Sequence, residues 1–275
     1  MTSIGDDREP SGPAAAADPD DWDHHWDVYG EAAEGNPANM YRRQLVLRLL
    51  GRPSAGSTVL DIGSGQGELA IHLGTVYPDV TVWGVEYSAA GIERSRAAAA
   101  ERGLGVRFAQ RNLLEPVTPD LDQPLATHAV CSEVLEHVDD PVRLMRNARS
   151  LLAPGCRIVV TVPGGPRSAF DRHIGHHQHF KPADISAVLT DAGFTVDRVL
   201  RAGFPFFNLY KLAVVARGRR LITDVQNRAP GAAHSRAEAA ATRFFDAGFR
   251  HNKDDFPFGW QMVALARVPS SPELT

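Results

Sequence analysis

Val59-Leu60-Asp61-Ile62-Gly63-Ser64-Gly65-Gln66-Gly67 is an apolar run that meets an acid and then breaks into alternate glycines. The apolar half predicts a buried strand, and the glycines predict a turn at its carboxyl end. Glycine lacks a Cβ, so it accepts positive φ and leaves bare main chain against which a ligand can lie. A helix is expected to start between Gly65 and Glu68 and to run through Leu73, aiming its first free N–H groups at that ligand. Strand, turn and helix start together point to a nucleotide-like ligand.

Spacing narrows the choice. A dinucleotide-binding turn reads G-x-G-x-x-G, its third glycine letting helix pack closely on strand. Here the glycines stand at 63, 65 and 67, and Glu68 takes the place of the third. The order D-x-G-x-G-x-G, with Asp61 on the strand, resembles motif I of the class I S-adenosylmethionine-dependent methyltransferases. That resemblance implies that Asp61, Gly63, Ser64, Gly65 and Gly67 surround the methionine end of S-adenosyl-L-methionine.

Val80-Thr81-Val82-Trp83-Gly84-Val85-Glu86 reads as a second buried strand ending in an acid, 25 positions after Asp61 (86 minus 61). A carboxylate there can accept both ribose hydroxyls, although nicotinamide-binding folds use an acid in the same way. Two later segments separate the readings. Phe108-Ala109-Gln110-Arg111-Asn112-Leu113 is similar to the family's adenine segment, and Cys131-Ser132-Glu133-Val134-Leu135-Glu136-His137 to its fourth-strand motif, usually met as E-V-L-E-H. The resemblance therefore extends the cofactor set to Glu86, Tyr87, Asn112, Leu113, Ser132 and Glu133. Asn112 stands where the family usually carries Asp, and its side-chain oxygen and amide can still face an adenine amino group. His128 stands where an Asp commonly opens the fourth strand, and reads as a polar strand-entry residue. The likeness runs from Val59 to Val268, roughly three quarters of the chain.

The chain has 275 residues, 43% of them hydrophobic, and a net charge of -4. That length accommodates one α/β domain with an elaboration. A negative net charge, with no basic cluster larger than Arg217, Arg219 and Arg220, points away from a nucleic-acid partner. Cys131 and Cys156 lie in apolar strand-like runs and read as small buried hydrophobes of a reducing compartment. No run approaches the ~20 apolar residues of a membrane span, and Met1 to Asp20 lacks the layout of a secretory signal. A cytoplasmic enzyme without a membrane partner is expected, its oligomeric state left open. Three Lys against 26 Arg (29 minus 3) imply a GC-rich genome.

Residues 1–20 are poor in apolar side chains and predict a disordered tail. Residues 21–56 bring in Trp22, Trp26 and Tyr29 and a helix from Pro37 to about Leu50. In similar methyltransferases such a helix lies over the cofactor as a lid, which makes Arg42 or Arg43, with Arg43 preferred, a partner for the methionine carboxylate. From Thr58 onward strands and helices alternate. The expected strands are Thr58 to Ile62, Val80 to Glu86, Val106 to Ala109, Ala129 to Cys131 and Arg157 to Val162. The helices between them end with one from Pro141 to Leu152, before a turn at Pro154-Gly155. This rhythm predicts a Rossmann-like α/β domain over 57–204 and 256–269, with helices on both faces of a mostly parallel seven-stranded sheet. A helix from Pro182 to Ala192, a strand from Phe194 to Leu200 and a last, antiparallel strand from Gly259 to Val268 complete it. Residues 205–255, carrying Phe206, Phe207, Tyr210, Phe244, Phe245 and Phe249, are too long for a connection and predict a helical cap over the substrate.

Methyl transfer from a sulfonium needs alignment more than catalytic groups, since proximity alone can remove on the order of 7 to 11 kcal/mol of barrier in the best cases. A base is required only for a hydroxyl, a protonated amine or an acidic carbon. Histidine titrates near neutrality and suits that task. His173, His176, His177 and His179 crowd one segment after the fifth strand, and His176, in a Gly-His pair with Gly175, is the first choice for base. His137, on the turn after the fourth strand, is the second. H-x-x-H-H-x-H with Asp171 can also bring imidazoles around a metal ion, but without a cysteine pattern or paired-acid motif the reading adopted holds no metal. The function expected is transfer of a methyl group from S-adenosyl-L-methionine to oxygen, nitrogen or carbon of a small molecule, such as a natural-product intermediate. An NAD-dependent oxidoreductase and a non-catalytic cofactor-binding regulatory subunit are the alternatives.

Overall fold

The computed structural model describes residues 36–119, 123–226 and 235–270. The tail and the aromatics Trp22, Trp26 and Tyr29 lie outside them. The chain enters through α1 (Pro37–Leu50), which begins with Asn36 accepting the Ala38 N–H at 2.9 Å and a proline in the first turn, and ends at Gly51 with φ 75°. Both devices satisfy or remove the free N–H groups of a helix start and allow the left-handed exit at its end.

Seven strands follow: β1 (Thr58–Ile62), β2 (Thr81–Glu86), β3 (Arg107–Gln110), β4 (Ala126–Ser132), β5 (Leu152–Pro163), β6 (Thr195–Ala202) and β7 (Gln261–Arg267). They form one sheet in the order β3-β2-β1-β4-β5-β7-β6. Pairings β1 with β2 and β4, β2 with β3, and β4 with β5 are parallel. β7 runs antiparallel to both β5 and β6, as the sequence predicted for the last strand. The order reverses between β1 and β4, so the carboxyl ends of β1, β2 and β4 open onto a crevice suited to a ligand.

Alternation of side chains sends each strand into two cores. Leu60, Ile62, Cys131 and Val160 meet Leu144 and Met145 of α4 (Pro141–Ala148) and Ile185 and Leu189 of α6 (Pro182–Asp191) on one face. Val59, Val82, Val130 and Val159 meet Leu45 and Val46 of α1, Leu69 and Leu73 of α2 (Glu68–Val76), and Ile92 of α3 (Ala89–Glu101) on the other. Helices therefore cover both faces, and both cysteines are buried and unpaired as thiols.

Local differences from the sequence reading have local causes. The helix expected to reach Leu152 stops at Ala148 and tightens into a 3₁₀ turn, Arg149–Leu151. Pro154-Gly155 does not reverse the chain but kinks the start of β5. There Gly155 takes φ 77°, and the register on β4 jumps from Ala126↔Leu152 to His128↔Arg157. β4 starts at Ala126, earlier than expected, because Ala126 is buried while Thr127 is solvent-facing. His128 sits in the amino half of β4, paired with Val59, away from the crevice.

The described residues between β6 and β7 are mainly helical, as expected: α7 (Phe206–Arg217), α8 (Arg219–Gln226) and α9 (Arg236–Phe249). Its aromatics divide. Phe207 and Phe249 are buried with Tyr41 of α1, at centroid distances of 5.3 Å from Tyr41, and Tyr210 and Phe245 pack edge-on to each other at 5.3 Å. Each such pair contributes roughly 0.5–1.5 kcal/mol beyond its burial, so these rings fasten α7 and α9 to α1. Phe244 remains 54% exposed. The segment leaves and re-enters the sheet at one place, since Ala202 and Gln261 are partners in the β6–β7 register.

Candidate functional site

The turn after β1 holds three glycines in the left-handed region: Gly63 at φ 69°, Gly65 at 55° and Gly67 at 77°. A Cβ on Gly63 would lie 2.5 Å from Val134 Cγ2, and one on Gly67 would lie 2.8 Å from Phe108 Cζ and Ser95 Cβ. Main chain alone fits this cradle. Its lip is held by the N–H groups of Gly63 and Ser64 donating to the Val85 carbonyl at 2.9 and 3.0 Å.

Glu86 ends β2 directly beside the turn. Its Oε2 accepts the Gly65 N–H at 2.8 Å and its Oε1 the Ser88 N–H at 3.0 Å, so the acid and the glycines named from sequence meet. Asp61 is 2% exposed, and its Oδ2 and the Ser64 Oγ have no hydrogen-bond partner. Burial, aided by the Glu86 charge and opposed by a main-chain hydrogen bond at Ala70, pushes the Asp61 carboxyl up to about 7. Two crowded, buried acids beside open main chain suit a ligand that carries positive charge and nucleoside hydroxyls.

The other sequence-named positions lie along the same crevice with different duties. Tyr87 is 53% exposed, and its carbonyl accepts from the Gln110 side chain at 3.0 Å. Asn112 Oδ1 accepts the Leu114 N–H at 3.0 Å, and the Leu113 side chain is buried in the core. Ser132 Oγ and Thr161 Oγ1 lie 2.8 Å apart. Glu133 takes φ 58°, the one positive value among described non-glycine residues, and accepts from Gln261 Nε2 at 2.8 Å and Thr161 Oγ1 at 3.2 Å. Arg43 pairs with Glu68 at 2.6 Å, at the foot of the glycine turn, while its neighbour Arg42 reaches Glu133 at 3.5 Å.

Across the crevice stands a cluster of imidazoles. Its backbone is a capping box in which Ser168 Oγ accepts the Asp171 N–H at 3.0 Å and Asp171 accepts the Ser168 N–H at 2.7 Å, starting α5 (Ala169–His173). Sequence reading passed over this helix, although Ser168-Ala169-Phe170-Asp171 carries the S-x-x-D signature. Asp171 also binds Lys211 of α7 at 2.9 Å. The loop after α5 turns at Gly175, φ 85°, and lays the His176 ring edge-on against His137, with centroids 4.6 Å apart. His137 Nδ1 lies 3.2 Å from the Gly175 carbonyl, and His176 Nδ1 lies 3.3 Å from His179 Nε2. Of the four clustered histidines only His176 and His179 join His137 here; His173 and His177 are exposed, the latter paired with Asp139 at 2.8 Å. Burial, reinforced by His137, pulls His176 well below the ordinary imidazole value, which favours the neutral ring. Glu136, to which sequence reading assigned no role, is fully buried, neither carboxyl oxygen has a hydrogen-bond partner, and His137 Nε2 lies 3.9 Å from Oε1.

Residues 36–199 match the family model described as a methyltransferase domain, which covers more than half of the chain. The chain belongs to the class I S-adenosylmethionine-dependent methyltransferases. This methyltransferase is 31% identical over 144 residues to the ubiquinone biosynthesis O-methyltransferase of Alkalilimnicola ehrlichii, an alignment covering 52% of the chain and 56% of that protein. It therefore spans little more than half the length of that relative. An enzyme of the same name from Xanthomonas euvesicatoria is 27% identical over 190 residues, covering 63% of the chain and 77% of that protein. The fold is shared with geranyl diphosphate C-methyltransferase from Streptomyces coelicolor, solved with Mg²⁺, geranyl diphosphate and S-adenosyl-L-homocysteine. There the TM-score is 0.54 at 17% identity, over 94% of this chain and 90% of that one. Phosphoethanolamine N-methyltransferase 2 of Haemonchus contortus, solved with S-adenosyl-L-methionine, gives a TM-score of 0.59 at 16% identity, over 90% and 57%.

Proposed function

We propose that this methyltransferase moves the methyl group of S-adenosyl-L-methionine to a hydroxyl oxygen of a small molecule, in the cytoplasm, and that a natural-product intermediate is the class of acceptor. Bound S-adenosyl-L-methionine supplies a methyl group on a cationic sulfur that departs as a neutral thioether. The observation that carries the reading is the bare glycine turn with Asp61 and Glu86 buried beside it, since a sulfonium nucleoside with an amino-acid tail presents hydroxyls and positive charges to which carboxylates are complementary. Glu86 takes the ribose, Gly63, Ser64, Gly65 and Gly67 the methionine end with Asp61, and Asn112 and Leu113 the adenine, with Tyr87 beside them. Arg42 and Arg43 face the methionine carboxylate, and Ser132 and Glu133 form the wall toward the acceptor.

Oxygen is favoured because both named sequence relatives are O-methyltransferases. On the acceptor side His137 and His176 orient the hydroxyl. A base must lie within reach of the proton it takes, and His176 and His137, whose rings meet edge-on, are the two candidates for that part. The cap helices α7 to α9 close the acceptor space over residues 205–255, α1 acts as lid, and the net charge of -4 is in keeping with a small acceptor in place of nucleic acid. Among the described residues no helix is long and apolar enough to cross a membrane.

The test is methyl transfer from tritiated S-adenosyl-L-methionine to a panel of phenols, catechols and aliphatic alcohols, with calorimetry of cofactor binding alongside. Cofactor binding with labelled ether product is expected. Binding without product from any acceptor would support the regulatory alternative, and affinity for NAD in its place would support the oxidoreductase.

A further inference from the structure

We propose that the sheet face covered by α1 carries, at the amino-terminal end of β5, a binding site for the carboxylate of a medium-chain aliphatic acid. A cavity of about 260 Å³ lies there, walled by Leu49 and Leu50 at the end of α1 and floored by Val159 of β5 and Leu265 of β7. At ~30 Å³ for each water-sized group it holds roughly eight or nine heavy atoms. From Arg157 at this cavity, β5 runs to Pro163 at the carboxyl ends of the parallel strands, six steps (163 minus 157) of ~3.3 Å or about 20 Å. A ligand here is therefore separate from the methyl acceptor.

Register and alternation bring three arginines to this face. His128 of β4, Arg157 of β5 and Arg267 of β7 are successive partners across the sheet. Each stands two positions from an apolar residue of the core under α1, Val130, Val159 and Leu265 respectively, and so points to the same side. Arg198 of β6, the partner of Leu265, joins them at the cavity. Two of the three arginines are matched, Arg267 by Asp197 at 3.1 Å and Arg198 by Asp255 at 3.0 Å. Arg157 pairs with no acid among the described residues. Burial, aided by the Arg157 charge, holds the His128 imidazole below its usual value, so the row keeps one unmatched positive charge.

A single cation beside apolar walls has a defined complement: one negative charge with an apolar tail. The guanidinium fork takes a carboxylate through two parallel N–H···O bonds, and the tail leaves water for the cavity. A polyanion is repelled, because Asp197 and Asp255 fence the row and Asp254, bound to Arg48, stands at the same end of α1. A neutral alcohol leaves Arg157 unmatched, and an alkylammonium adds a like charge. Arg157 is solvent-exposed, so its charge sets the choice of headgroup while the tail supplies most of the affinity.

The test is calorimetric titration of the full-length protein with butanoate, hexanoate and octanoate near neutral pH at low ionic strength. One molecule per chain is expected, tightening about fourfold for each added methylene until the cavity is full. Octylamine should bind about tenfold more weakly than octanoate. Arg157→Gln should weaken octanoate by about threefold or more and leave octanol unchanged. Leu49→Trp, which puts a large ring into the cavity, should abolish binding of both, with circular dichroism verifying the fold; the exposed Arg157→Gln carries the test where that variant does not fold. Arg143→Gln, on α4 and so over the opposite face, should change nothing. No saturable heat with octanoate, equal affinity for octylamine, or octanoate binding untouched by Arg157→Gln would each overturn the site. Displacement of octanoate by S-adenosyl-L-methionine would place it in the crevice and overturn the site as well. The other titrations contain no cofactor, so their outcome stands apart from the methyl-transfer reading.

Discussion

Gly63→Ala puts a methyl group where the structure has no room and where the backbone resists it. At φ 69° an L-residue incurs about 1–2 kcal/mol, and a Cβ 2.5 Å from Val134 Cγ2 demands a shift that costs about 1–3 kcal/mol in packed surroundings. The expected loss is the sum, about 2–5 kcal/mol, read as a thermal midpoint lowered by about 2–4 °C for each kcal/mol. The two contributions separate in a double-mutant cycle with Val134→Ala. Only the overlap involves Val134, so the cycle should return a coupling of about 1–3 kcal/mol, and the double variant should still lack the backbone contribution. A midpoint unchanged in Gly63→Ala, or a coupling below ~0.5 kcal/mol, would refute the argument that Val134 and positive φ together reserve this position for glycine.

Glu86→Ala strips the acceptor from the Gly65 and Ser88 N–H groups and should weaken S-adenosyl-L-methionine by about a hundredfold, near 2.7 kcal/mol, by calorimetry; a change under about threefold contradicts the ribose assignment. Asp61, pushed up to about 7, attracts a cationic ligand only when ionised, so cofactor affinity should climb between pH 6 and pH 8 and become flat in Asp61→Asn. Its folded-state value lies above the ~3.9 of an unfolded Asp, so the stability it contributes is complete below that value and is lost as pH rises through about 7. Lys211→Met leaves the buried Asp171 carboxylate without its cation and should cost about 3–5 kcal/mol at pH 7 in urea unfolding. Although burial raises it, Lys211 and Ser168 hold Asp171 below the usual carboxylate range. That contribution is present above the unfolded value and is lost as pH falls, so the gap between wild type and variant should narrow below about pH 4.

What could be read in advance follows from what is periodic or local. The apolar runs of β1 and β2, the proline starts of α1, α4 and α6, and the reach from Asp61 to Glu86 are all written over short spans, and the sheet and its order of elements came out as expected, while the hydrogen bond from the Gly65 N–H to Glu86 was not foreseen. The imidazole cluster was only half legible. Seven consecutive positions revealed the histidines, but that His176 meets His137, with His179 behind it, depends on the α5 capping box and the Gly175 turn, whose contacts reach back to the Glu136 carbonyl through the His177 N–H at 2.7 Å. The burial of Glu136 could not be foreseen, since a second acid in E-x-x-E-H looks identical whether solvated or sealed. Likewise the aromatics of the insertion divide into Phe207 and Phe249, which fasten it, and Phe244, which faces out, by contacts with Tyr41 that lie more than 160 positions away.

Because Ala202 and Gln261 are register partners on the paired strands β6 and β7, the 58 residues between them (260 minus 202) form a detour whose two ends are already tied. Asn252 Oδ1 accepts the Phe206 N–H at 2.8 Å and Asn208 Oδ1 the Trp260 N–H at 3.1 Å, closing the base of that detour independently of its contents. Doubling such a closed excursion adds only about 0.6 kcal/mol of closure entropy. On the proposed reading of this detour as a cap over the acceptor, evolution can exchange it, and with it the molecule admitted, while the sheet and the glycine turn stay as they are.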